Sequence, residues 1–392
     1  MTGRDVGELA PPDRVLMGPG PSDVHPRVLS AMNSAIVSHL DPSFLEVMDD
    51  VQALLRDVFR TDNEWTIPVS GTGSASMEAA VANLVAPGDT VLCPDNGYFG
   101  ERMQSMARRA GGEVVTVAAP WGEPLDVGDV QSAIDRHDPD VVGVVHAETS
   151  TGALQPDVPA IADAAHDAGA LVILDCVTSL GGVPVEVDDW GIDAAYSAAQ
   201  KCLSCPPGAS PLTLSERARE KVLARDEPAR TWYLDLVPLD DYWGENRSYH
   251  HTAPVSNIYG LREALRLVEE EGLEERWERH RRVAGAIKAG VEAMGLELNP
   301  EDDYWLPTLN AVRAPEGVDT AAVRERLLLD HGIEVAGGLG ALEGDIFRIG
   351  CMGHSARPAN VLSLIDALGD ELEDAGADVD PGAGIAATAD VL

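Results

Sequence analysis

A chain of 392 residues with 66 acidic against 28 basic side chains, a formal charge of −38, repels polyanions, which excludes nucleic acid and anionic membrane surfaces as partners. It keeps 45% hydrophobic residues, enough to build a sizeable core, so global disorder is excluded as well. Lysine occurs only at positions 201, 221 and 288. Such acidity resembles that of extreme halophile proteins, whose surface repulsion is screened by concentrated salt, and loss of structure at low salt, reversed by adding salt, is the expectation.

The length predicts two or three domains. No apolar run approaches the ~18 residues of a membrane span, and residues 1–12 lack the pattern of a secretory signal, so a soluble cytoplasmic protein is expected. Five cysteines, odd in number and scattered, argue for reduced thiols and against a disulfide framework. Cys202 and Cys205 form a C-x-x-C with no second pair and the wrong flanking elements for a redox motif. They are expected to be small buried residues.

After a polar, proline-containing arm over 1–15, Leu16-Met-Gly-Pro-Gly-Pro reads as a rigid turn. Helical periodicity covers 43–58. Apolar strand-like runs at 65–69, 90–92, 113–117, 141–145 and 171–174 then alternate with helical stretches at 76–84, 101–109, 127–135 and 158–168. That order predicts an α/β fold with a mostly parallel sheet and helices on its faces. A long charged helical region over 259–294, interrupted at Gly272, is suited to bridging two domains. Strands at 309–312, 333–335 and 346–349, with helices at 320–330 and 359–370, predict a smaller C-terminal α/β unit. The expected division is an arm over 1–15, a large domain over 16–270, a small domain over 271–374 and an acidic tail over 375–392. The tail, mostly Gly, Ala and Asp, offers too little large apolar surface to offset ordering entropy, and disorder is expected there.

The run Leu171-Val-Ile-Leu-Asp ends on Asp175, at the carboxyl end of a buried strand, where open α/β sheets place their ligands. A buried carboxylate needs a cationic partner; a helix cap or structural ion pair is the plainer alternative. Lys201 follows in Tyr196-Ser-Ala-Ala-Gln-Lys-Cys, off any helical surface, whereas Lys221 and Lys288 fall in amphipathic helical patterns. An aspartate and a lysine at one sheet edge are the pair needed to hold pyridoxal phosphate. The lysine forms a Schiff base with the aldehyde, and the aspartate pairs with the pyridinium nitrogen and keeps the ring an electron sink.

The phosphate needs donors. Val69-Ser-Gly-Thr-Gly-Ser-Ala-Ser-Met-Glu provides a strand, a two-glycine turn and a helix start, so backbone N–H groups around Thr72, Gly73 and Ser74 would cradle an anion. The same stretch nearly spells a dinucleotide fingerprint, with Ser76 where glycine or alanine is wanted. Phe99, in Asp95-Asn-Gly-Tyr-Phe-Gly-Glu-Arg, is an aromatic suited either to stacking on a flat ring or to core packing. Ser150, in His146-Ala-Glu-Thr-Ser-Thr-Gly, offers a ligand a hydroxyl, although such turns form without function. The neighbouring histidines of Tyr249-His-His-Thr diverge in a strand and do not read as a metal tract. Arg348 interrupts the apolar run Asp345-Ile-Phe-Arg-Ile-Gly. Its fork suits a substrate carboxylate or, alternatively, a structural ion pair.

Together, the Gly-Pro-Gly-Pro turn, Ser-Gly-Thr-Gly, Glu-Thr-Ser-Thr-Gly, Asp-Cys-Val-Thr-Ser-Leu-Gly-Gly, Ser-Ala-Ala-Gln-Lys-Cys, Tyr-His-His-Thr and Arg-Ile-Gly resemble the class V pyridoxal-phosphate aminotransferases, in order over about residues 14–372. The alanine–glyoxylate and serine–pyruvate (serine–glyoxylate) branch is the most similar. The resemblance implies the type I fold of pyridoxal-phosphate transferases, as a homodimer with active sites at the subunit interface. It implies that Lys201 is the lysine bound to the cofactor, that Asp175 partners the ring nitrogen, that Ser150 contacts the ring hydroxyl and that Phe99 stacks where close relatives have tryptophan. Thr72, Gly73, Ser74 and Gln200 would hold the phosphate from one subunit, with Ser74 in place of a histidine of some members, and Tyr249 and Thr252 would complete it from the other. Arg348, helped by backbone near Gly20, would grip the substrate carboxylate. The implied reaction is ping-pong transamination of a small amino acid, alanine or serine, with glyoxylate or pyruvate, and (S)-ureidoglycine is an alternative donor.

A nicotinamide dehydrogenase, supported by the near-fingerprint and by Asp95 at about the ribose-binding distance, leaves Lys201 unexplained. A cysteine desulfurase needs a mobile cysteine in a small-domain loop, and Cys351 lies in a strand-and-turn segment. A non-catalytic binding protein requires a silent site residue, and the set is complete.

Overall fold

The computed structural model describes residues 7–392, so the first six residues of the expected arm lie outside the described residues. Seven strands form the main sheet in the spatial order Trp65–Gly71, Gly208–Leu214, Ala194–Tyr196, Leu171–Asp175, Val141–Val145, Thr90–Asp95 and Glu113–Ala118. From Ala194–Tyr196 to the Glu113–Ala118 edge every neighbouring pair is parallel, and Gly208–Leu214 alone runs antiparallel to both its neighbours. Val141–Val145 and Leu171–Asp175 are buried at every position, as strands covered on both faces must be. Because the parallel strands share a direction, Gly71, Asp95, Val145, Asp175 and Tyr196 all finish at one edge of the sheet. The site lies along that edge.

Helices Gly73–Leu84, Tyr98–Ala110, Val127–His137 and Val158–Asp167 follow their strands as the β-then-α order predicts. The strands Ala194–Tyr196 and Gly208–Leu214 carry no periodic apolar signal, with Ala-Ala-Tyr in one and Gly-Ala-Ser-Pro at the start of the other; cross-strand pairing defines them. Helix Val255–Glu271 belongs to the large core and ends at Gly272, whose φ of 85° is accessible to glycine at no steric cost. The chain restarts at once as Leu273–Ala293, whose Val283, Ala284 and Ile287 enter a second core. A three-stranded antiparallel sheet, Leu309–Arg313, Ile346–Gly350 and Ala336–Gly337, shares that second core with helices Thr320–Leu329 and Pro358–Asp374. Among the described residues no helix is long and apolar enough to cross a membrane.

Two expectations are corrected. Residues 16 and 17, assigned to the large domain from sequence, pack with the small one: Val15–Leu16 pairs in parallel with Ile333–Glu334, and Met17 is buried in the second core. Only after Met17 does the chain cross to the large domain, so the Gly-Pro-Gly-Pro turn spans the gap between them. The tail expected to be disordered is helical over Pro381–Val391. It packs against Leu273–Ala293 and Pro358–Asp374, capped by Asp380, which accepts from Ala383 N at 2.9 Å. Its small residues, which argued for disorder, permit the packing. Gly384 and Gly290 bring the two backbones so close that a Cβ on Gly384 would lie 3.1 Å from Gly290 O, and Thr388 Oγ1 donates to Ala286 O at 3.2 Å. Close backbone approach substitutes for large apolar side chains.

Candidate active site

Asp175 is the last residue of its strand and is 2% exposed. Burial pushes its carboxyl up to about 6, opposed by Val177 N–H on Oδ1 (2.9 Å), by the Tyr196 hydroxyl on Oδ2 (2.9 Å) and by the charge of Lys201. A cation presented to it inside the cavity would restore the ionised form. Tyr196, itself fully buried, was not singled out in the sequence; only the strand register that places it beside Asp175 discloses it.

Lys201 sits in the turn after the neighbouring strand, with its backbone oxygen accepting from Ser22 Oγ at 2.7 Å and its Nζ donating to Pro19 O. Gly20 lies directly against it: at φ 111° a Cβ would stand 2.7 Å from Lys201 Cδ and 2.9 Å from Nζ. The Gly-Pro-Gly-Pro turn is therefore one wall of the site, and position 20 has no room for a side chain. Burial, then repulsion from Arg348, lowers the Lys201 ammonium to about 8 from 10.5. At pH 7 that shift raises the neutral, nucleophilic fraction about 300-fold over an ordinary lysine. The rate at which cofactor-free protein captures an aldehyde should accordingly rise with pH and level off above about 8, as followed by stopped-flow absorbance. A rise continuing to pH 10 would contradict it.

A cavity of about 160 Å³ joins Lys201 and Asp175 to Thr72, Gly73, Ser74, Phe99 and Gln200. Helix Gly73–Leu84 points its N-terminus at it, and Thr72, the N-cap, makes no capping bond with its own side chain. Gly73 is forced by packing, since a Cβ there would lie 2.8 Å from Ala198 Cβ. These groups fit an anion at a helix terminus beside a buried lysine and carboxylate. Pyridoxal phosphate matches this set of donors and acceptors at the ring nitrogen, the aldehyde and the phosphate.

Ser150 does not line that cavity. It is fully buried behind it, donating from Oγ to Glu148 Oε1 at 2.6 Å and accepting from Tyr98 N at 3.0 Å. Glu148 was missed in the sequence, although it stands in the quoted Glu-Thr-Ser-Thr-Gly. Its carboxylate collects the N–H groups of Ser150 (3.0 Å), Phe99 (3.1 Å) and Gly100 (3.4 Å), so one buried side chain fixes both the aromatic and the hydroxyl. Burial, partly offset by the Ser150 and Phe99 hydrogen bonds, holds it up at about 7. A side chain at Gly97 would run into Glu148, which explains that glycine. Arg102, also missed, lines the cavity from helix Tyr98–Ala110.

Arg348 is 6% exposed, on the small-domain strand, with Nε donating to Gly337 O at 2.6 Å and Nη1 reaching Thr149 O at 3.4 Å. Among the described residues it has no ion pair, and burial lowers it to about 10. The structural ion pair offered as an alternative from sequence is absent there. Tyr249 and Thr252 are not brought into this cavity; both are exposed, Tyr249 to 62%. All five cysteines are buried free thiols, and burial pushes Cys351 up to about 12, unlike a desulfurase nucleophile.

The model for "Aminotransferase class-V" matches residues 15–345. The chain belongs to the class V aminotransferases. It is 41% identical to the (S)-ureidoglycine–glyoxylate transaminase of Bacillus subtilis over 100% of this chain and 98% of that protein. Against the alanine–glyoxylate aminotransferase of Mus musculus identity is 37%, covering 93% and 89%. The crystal structure of a Nostoc sp. alanine–glyoxylate aminotransferase superposes with a TM-score of 0.93 at 50% identity, covering 94% of this chain and 97% of that one. This class V aminotransferase is thus a pyridoxal-phosphate-dependent enzyme of fold type I. When bound, the cofactor supplies the electron sink that lets a Cα–H bond of an amino acid break. In this class V aminotransferase Asp175→Asn, which keeps the shape and the Tyr196 contact but removes the charge, should lower turnover about 30- to 5,000-fold, the range for one lost partner of a buried charge pair. Single-turnover kinetics would check this, and a turnover within threefold of wild type would contradict it.

Proposed function

We propose that this enzyme transfers the amino group of a small amino acid, alanine or serine, to glyoxylate or pyruvate in two ping-pong half-reactions. The observation that carries the reading is Arg348: a buried guanidinium in no salt bridge among the described residues, with Glu148 acting on it only at longer range, in a chain with 66 acidic side chains. A substrate α-carboxylate supplies the missing charge and accepts from the fork. Lys201 would bind the cofactor aldehyde and is the group able to move a proton to and from the substrate Cα; Asp175 would pair with the ring nitrogen, and Glu148 keeps Phe99 and Ser150 in place.

The Bacillus relative favours a second reading, with (S)-ureidoglycine as donor. Asn257, in the first turn of Val255–Glu271, is half-buried, donates to Pro207 O at 3.1 Å beside Gly208 and would pair with a ureido group. Absorbance changes in half-reactions with alanine, serine and ureidoglycine decide: conversion with alanine or serine at least as fast as with ureidoglycine supports the first reading, and conversion with ureidoglycine alone overturns it.

The reading includes a homodimer. Trp232, 71% exposed, stacks on His250 at 4.7 Å beside exposed Tyr233 and Tyr249, a surface that a second copy would cover while Tyr249 and Thr252 reach its phosphate. The charge of −38 supports reading its setting as a salt-rich cytoplasm. In molar salt, light scattering should give a dimer and the melting temperature should exceed that in dilute buffer. A monomer, or a melting temperature independent of salt, would contradict these two statements respectively.

A further inference from the structure

The phosphate cradle described above is chemically incomplete. Thr72, Gly73, Ser74 and Gln200 are neutral donors, and a helix N-terminus contributes only about half an elementary charge. A phosphate monoester carries about −1.5 to −2 charges at pH 7, and here it must enter a chain whose formal charge is −38. Lys201 is committed to the aldehyde and Arg348 to the substrate.

Arg102 is the remaining cation at the cavity. It lies one turn into helix Tyr98–Ala110, half-buried, and lines both the cavity of Lys201 and a neighbouring one of about 320 Å³ shared with Ser74 and Glu78. Its Nη1 donates to Ser74 Oγ at 3.2 Å. Its guanidinium carbon lies 4.8 Å from the centroid of Phe99 and 5.3 Å from that of Tyr98, the residues three and four positions earlier on the same helix. Among the described residues Arg102 makes no ion pair. Its charge is felt by both Asp175 and Lys201. Two aromatic faces therefore hold an unpaired guanidinium against the hydroxyl at the mouth of the anion site, with most of its five N–H donors uncommitted.

Resting on the pyridoxal-phosphate reading, we infer that Arg102 is the counter-ion of the cofactor phosphate. It grips the phosphate oxygens alongside Ser74, and by stacking on Phe99 it ties the phosphate end of the cofactor to the aromatic that covers its ring. Arg102 would thus be a cofactor-binding residue that supplies the charge the neutral cradle lacks.

Titration of cofactor-free protein with pyridoxal phosphate and, separately, with pyridoxal tests this, because the two ligands differ only in the phosphate. Arg102→Gln should weaken pyridoxal phosphate about 10- to 150-fold, the value of a charge-assisted contact, and leave pyridoxal unchanged within about twofold. Arg102→Lys should recover part of the loss, since charge remains but the fork does not. Equal weakening of both ligands would show that Arg102 only supports Phe99, and unchanged affinity for pyridoxal phosphate would show that it does not meet the phosphate; either overturns the inference. Wild-type protein that binds no pyridoxal phosphate would overturn the cofactor reading itself, a result distinct from both.

Discussion

Lys201→Ala will leave a folded protein that turns over at least about 10⁴-fold more slowly than wild type, the upper end of what a positioned proton-transfer group contributes. On the proposed reading the loss is this large because one amine would perform two tasks, covalent capture of the cofactor aldehyde and proton movement at the substrate Cα. The fold should survive, since the Lys201 side chain borders a cavity and its backbone is held independently by Ser22. Lys201→Arg is the informative companion. Arginine keeps the positive charge but stays protonated, so it should be as inactive as alanine. Lysine's lowered pKa of about 8 separates the two residues: Lys201 is neutral often enough to react. Initial rates measured with excess cofactor would check both variants, and activity in either above one-hundredth of wild type would contradict the assignment.

Arg348→Ala will lower kcat/KM about 30- to 5,000-fold for the amino donor and the keto acceptor alike, because both present a carboxylate to the same fork. Affinity for the cofactor should be unaffected. Stability gives a second, independent signal. An arginine that served as a structural ion pair would destabilise the protein when removed, through the carboxylate left behind. Arg348 makes no such pair among the described residues: its hydrogen bonds go to the carbonyls of Gly337 and Thr149, and the buried Glu148 carboxyl acts on it only at longer range. Its removal from the substrate-free protein should therefore leave the melting temperature unchanged or raise it by a few degrees, relieving an unpaired buried charge. A falling melting temperature with unaltered kcat/KM would mean that Arg348 is a packing residue.

What the sequence disclosed was chemistry placed at strand ends. Asp175 closes an apolar run, Lys201 lies off every helical pattern, and Thr72 to Ser74 join a strand to a helix; each is legible because residue type and local pattern suffice. The hidden residues act through registers no local pattern records. Tyr196 meets Asp175 only because two strands pair side by side, and Glu148 matters because a turn folds it under the N-terminus of a helix formed some fifty residues earlier. Arg102 resembles any helical surface cation until the face it shares with Phe99 is known to border the cavity. The terminal helix was concealed for the opposite reason: composition measures side-chain bulk, whereas Gly290 and Gly384 act by having none. Residues 16 and 17 were assigned by adjacency to the large domain, but the parallel pairing of Val15–Leu16 with Ile333–Glu334 and the burial of Met17 place them with the other core.

With only three lysines in the chain, the central claim has a direct test. Purified protein incubated with pyridoxal phosphate should be yellow. Borohydride should abolish that colour, and peptide mass spectrometry should then find the reduced cofactor on Lys201. Absence of the colour after cofactor addition, or the label on Lys221 or Lys288, would contradict the account.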